Sequence, residues 1–109
     1  METLKLKKPV KIDGEEVQEI KYDLERLTGN DLEVALQDMK KNGIQVAAVE
    51  LDPSYHMALF AQAAGIAYED VKRMGAKDCK NAIAAVRYFF IKDSEDSSND
   101  ETFAESDLL

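Results

Sequence analysis

"LKLKKPVKIDGEEVQEIKYDL", residues 4–24, decides the fold. Its first half sets apolar residues on even positions, Leu4, Leu6, Val10 and Ile12, between Lys5, Lys7, Pro9 and Lys11. Period-two alternation of this kind marks a half-buried strand. Pro9 has no amide to give a ladder, which puts the strand at a sheet edge. Asp13-Gly14 is a hairpin turn signal, and Ile20, Tyr22 and Leu24 again fall on even positions. A two-residue turn pairs Val10 with Val17 but puts Ile20 and Tyr22 on the wrong face. Pairing Leu6 with Tyr22 and Leu4 with Leu24 agrees with burial and is favoured away from the turn. That register requires either a bulge near Gln18-Glu19 or a longer loop, Asp13-Gly14-Glu15, with Gly14 or Glu15 at positive φ.

A lone hairpin is marginal in water, so the remaining chain must cover it. "LTGNDLEVALQDMKKNG" reads as a helix. Thr28 or Asn30 can cap it, and Asn30 with Glu33 resembles a capping box. Leu32, Ala35, Leu36 and Met39 follow at helical spacing, and Asn42-Gly43 stops the run. Residues 44–51 read as extended. Asp52-Pro53 opens a second helix with a core stripe of Met57, Phe60, Ala61 and Ala64, ending at Gly65. "YEDVKRMG" makes a short helix stopped by Gly75. A last helix runs from about Ala76 to Ile91, with Cys79, Ala82, Ile83, Val86 and Phe90 on one face.

The expected fold class is α+β: an N-terminal antiparallel β-hairpin, about four α-helices, and a disordered acidic C-terminal tail. Residues 1–92 would form a single folded domain and residues 93–109 the tail. The tail holds seven acids and no Lys or Arg. Removing them from the chain's 22 acids leaves 15 against 14 basic side chains in residues 1–92. A nearly neutral folded part argues against a strong electrostatic grip on nucleic acid. One cysteine suits a reducing compartment. No apolar run reaches the roughly 18 residues of a membrane span, and the N-terminus lacks a signal-peptide core. A soluble, cytoplasmic protein is expected.

The inventory of reactive residues is poor. His56, the single histidine, lacks the Cys and His companions of a zinc site and is expected on a helix surface. Cys79 lies on a core stripe, where a small buried hydrophobe is the default. No phosphate-binding glycine motif occurs. No catalytic, cofactor-binding or metal-binding residue is therefore assigned, and the chain is not expected to be an enzyme. Lys72, Arg73, Lys77, Lys80 and Arg87 make a basic stretch, either a docking patch or a solvated face. Phe90 follows the core stripe, whereas Tyr88 and Phe89 turn away from it, to wedge on the hairpin or to meet a partner. In the tail, Phe103 and Leu108-Leu109 stand among acids, as solubilising disorder or as a short binding motif.

Three pieces in order, "LKKPVKIDGEEVQEIKYDL", "LTGNDLEVA" and "YEDVKRMGAKDCKNAIAAVRYFF", resemble the tail assembly chaperones of long-tailed bacteriophages and prophages, over roughly residues 3–91. The resemblance implies a non-catalytic protein of the host bacterial cytoplasm. It would bind the tape measure protein during tail morphogenesis, keep its helical apolar segments soluble and help recruit tail tube subunits. It would be absent from the mature virion. Self-association is compatible with this role. Met57, Phe60, Met74, Tyr88, Phe89 and Phe90 are the candidate partner-binding residues, flexible methionine suiting promiscuous contact. The other readings are a small structural or adaptor component of the tail and an acidic regulatory binding protein.

Overall fold

The structure, a computed structural model of the chain, describes residues 1–45 and 52–98, with side chains to residue 92. Two antiparallel strands, β1 (Glu2–Ile12) and β2 (Glu15–Tyr22), form the hairpin. A 3-10 turn at Leu24–Arg26 leads to α1 (Gly29–Lys41), α2 (Pro53–Ala64), the short α3 (Tyr68–Lys72) and α4 (Ala76–Ser98). Of the extended run expected at 44–51, residues 46–51 lie outside the described residues, as does the acidic stretch from residue 99. α4 continues past its expected end near Ile91 to Ser98. No Gly or Pro interrupts those residues, so the backbone meets no breaker there.

The turn is the two-residue Asp13-Gly14, with φ of 54° and 83°. Both angles lie in the left-handed region, as the twist of a tight hairpin requires. Val10 pairs with Val17 beside it, but farther on Leu4 pairs with Ile20 and Glu2 with Tyr22. This corrects the favoured register: Leu6 does not face Tyr22, nor Leu4 Leu24. The irregularity lies in β1, not near Gln18-Glu19, because residues 6–9 stand opposite Gln18 alone. An odd offset was needed to bring Leu4 and Ile20 onto one face, and both are buried. β1 absorbs it where Pro9 has no amide and where the amides of Lys7 and Lys8 bond elsewhere, as described below.

The helix α1 is preceded by Thr28 as its N-cap. The Asp31 carboxylate accepts from the Thr28 amide at 2.8 Å and from its hydroxyl at 3.1 Å, so the acid at the helix start is Asp31 rather than Glu33. Ala35 and Met39 are buried, whereas Leu36 is 38% exposed. At the start of α2, the Asp52 carboxylate accepts from the Ser54 amide at 2.8 Å. Its end turns at Gly65 (φ 71°), after which the Ile66 amide reaches back to the Ala61 carbonyl at 3.0 Å. That left-handed residue closes the helix in the way glycine favours.

α2 is the hub. It packs against α1, α3, α4, the 3-10 turn and β2. Its buried residues, Tyr55, His56, Ala58, Leu59, Phe60, Ala61 and Ala63, run almost all round the helix. A helix covered on every side needs no polar face. Its expected stripe was therefore too narrow, and two of its members, Met57 and Ala64, are only half-buried. His56 corrects the surface expectation: it is 5% exposed, with Nδ1 2.8 Å from the Asp52 carbonyl. The hairpin joins this core through Leu4, Val10, Ile20 and Tyr22. The Tyr22 ring lies 5.0 Å from that of Phe60, and the Asp23 amide donates to the Ala63 carbonyl at 3.0 Å.

Candidate interaction surface

The six residues expected to meet a partner divide between core and surface. Phe60 is fully buried at the centre of α2, and Met74 is 5% exposed at the turn between α3 and α4. Both are core residues and present nothing to a partner. Met57 is half-buried against the core. Tyr88 is 65% exposed, Phe90 36%, and the unpredicted Ile91 51%. Phe89 is half-buried, and its ring meets that of Phe90 edge-on at 5.2 Å.

Helical spacing explains this division. Asp78, Ala82 and Val86 form the buried line of α4, and Phe89 and Phe90 stand three and four residues beyond Val86, straddling its continuation. Phe89, not Phe90, is the more covered of the two. Tyr88 and Ile91 fall on the solvent side with Lys77, Lys80, Ala84 and Arg87, all exposed. The distal part of α4 thus carries an aromatic and aliphatic surface beside a basic stripe.

Asp78 is the residue that sequence reasoning missed. It is 1% exposed. Its carboxylate accepts the Lys7 amide at 2.9 and 3.0 Å and the Lys8 amide at 3.1 Å. The amides that the β1 bulge withdraws from β2 are thereby satisfied by α4, as buried donors must be. The signal was present: an acid at i with Ala82 at i+4 and Val86 at i+8 sits on a core line and needs a partner.

Cys79 is half-buried, its thiol donating to the Val71 carbonyl at 3.3 Å. Burial, and then the Asp78 charge, push its pKa up. Less thiolate means slower chemistry. Alkylation by iodoacetamide at mildly alkaline pH should run slower on the folded chain than on the chain in denaturant. Mass spectrometry of timed samples checks this, and equal rates would contradict the burial. Among the described residues no group of three His, Cys, Asp or Glu side chains could hold a metal ion. No helix among them is long and apolar enough to cross a membrane.

A hairpin clasped to a helical body, with an apolar and basic surface along the last helix, invites comparison with known proteins. A family model described as "Phage tail assembly chaperone proteins, E, or 41 or 14" matches residues 3–91. The chain belongs to the phage tail assembly chaperone family. Neither the curated proteins nor the solved structures gave a match. The family match spans both strands and all the helices up to Ile91 in α4. The Asp78 clasp and the distal surface of α4 therefore both lie within the part that makes this chain a tail assembly chaperone.

Proposed function

We propose that this chaperone binds apolar, helical segments of the tape measure protein during tail morphogenesis and keeps them soluble, without catalysis. It acts in the host cytoplasm and leaves before the virion is complete. The observation that carries the reading is the exposed Tyr88, Phe90 and Ile91 surface in a chain of this family. An apolar face on a preformed helix suits an amphipathic helix as ligand. Exposed apolar side chains in a cluster are an aggregation liability unless they meet a partner.

Co-expression with the tape measure protein of the same tail gene cluster tests it. The native chain should move the tape measure protein into the soluble fraction. A Tyr88→Ser/Ile91→Ser variant should lose most of that effect while its thermal midpoint stays within about 3 °C of native, because exposed positions contribute little to stability. Equal rescue by the variant would exclude this surface. Recovery of the chain in purified virions would instead favour a tail component.

A further inference from the structure

The solvent face of α4 changes character along its length. Lys77, Lys80, Ala84, Arg87, Tyr88 and Ile91 are all exposed. Helical spacing puts them within about a third of the circumference, over roughly 20 Å of helix. The first half of this face is basic and the second, flanked by Arg87, is apolar, with the small Ala84 between them. Residues 79–92 contain no acid. Asp78, the acid before them, is turned into the core, where the Lys7 and Lys8 amides occupy its carboxylate. That contact also brings two more lysines, both exposed, to the first turn of α4 beside Lys77. Lys7, Lys8, Lys77, Lys80 and Arg87 make no ion pair among the described residues.

A helix face has no open ladder, so an extended ligand laid on it would leave its own amides and carbonyls unmet. A helical ligand satisfies them internally. Ala84 lets such a helix come close at mid-face, since the distance between packed helices follows the side chains at the crossing. An apolar stripe alone would fit Tyr88 and Ile91 in either direction. The lysines remove that freedom: Lys or Arg at the far end of the ligand is repelled there, and Asp or Glu is attracted.

We propose that the tape measure segments held by α4 are helices with a two-part contact face, acidic where it meets Lys77 and Lys80 and apolar where it meets Tyr88 and Ile91. Resting on the reading of distal α4 as the tape measure contact, this pattern adds a charge and a direction to what binds there.

Fluorescence anisotropy tests it, with the full chain and overlapping peptides tiling the tape measure protein of the same gene cluster, each of about 20 residues, or roughly 30 Å of helix. The peptides that bind should carry two or more Asp or Glu at one end of an apolar stripe. Changing those acids to Asn or Gln should weaken binding about tenfold at low salt. The difference should vanish in about 1 M salt, where the Debye length is roughly 3 Å. Lys77→Gln/Lys80→Gln should lose the same factor on the native peptide and none on the neutralised one. Lys77→Glu/Lys80→Glu, with a native circular dichroism spectrum, should prefer the peptide bearing Lys in place of its acids. Bound peptides that lack the acids, or affinities indifferent to the lysines, would overturn the charged half while leaving Tyr88 and Ile91 as the contact. Binding that survives Tyr88→Ser/Ile91→Ser, or no binding by any peptide, would overturn the reading of this surface itself and the two-part face with it.

Discussion

Replacing Asp78 by asparagine is expected to lower the thermal midpoint by about 10–20 °C, the equivalent of about 2–3 kcal/mol in a domain of this size. The side chain is 1% exposed and accepts three bonds from two backbone amides. Asparagine keeps one acceptor oxygen but turns an amide donor toward donors. Alanine leaves both the Lys7 and Lys8 amides without a partner, which is worse still. The sharper check is the contrast with Lys7→Ala and Lys8→Ala. Those residues serve the clasp through their backbone, so removing either exposed side chain should shift stability by less than about 0.5 kcal/mol. Calorimetry on the four variants separates the cases. A mild Asp78 variant beside damaging lysine variants would refute the clasp.

Phe60→Ala should cost about 3–5 kcal/mol, by lost transfer energy and by the cavity left at the centre of α2. Phe60 is the largest fully buried side chain among the described residues, and its ring contacts Tyr22 of the hairpin. Small domains carry about 5–15 kcal/mol in all, so the variant should sit near the folding threshold. Urea titration would show the midpoint falling steeply with little change in slope. Tyr88→Ala, one face away and 65% exposed, should leave the midpoint within experimental error. That pair of results would confirm that the aromatic residues divide between core and surface as the helix geometry dictates.

Periodicity revealed the elements because each hides an apolar side, and that side leaves a repeat. The hairpin turn, α1, both ends of α2 and the line through Ala82 and Val86 were legible for that reason. What stayed hidden depended on contacts between distant segments. The β1 offset answers to an acid some 70 residues away, and strand alternation says only that an odd shift exists, not which strand absorbs it. The near-absence of polar residues in "PSYHMALFAQAA" is the mark of a helix covered on nearly every side, which a single apolar stripe understates. The same covering takes His56 into the core. Among the candidate site residues, Phe60 and Met74 have the chemical type of a contact residue but lie in the core. Burial decides between core and surface, and type does not. Tyr88 stood out because it departs from the buried line, and that departure is visible in spacing alone.

The most direct test of the account is a binding measurement on purified full chain. It would be refolded together with the tape measure protein of its own tail gene cluster and passed over a size-exclusion column. Co-elution of the two in one soluble peak, lost in the Tyr88→Ser/Ile91→Ser variant, is the predicted result. A tape measure protein that precipitates as readily with the native, folded chain as without it would contradict the proposed role.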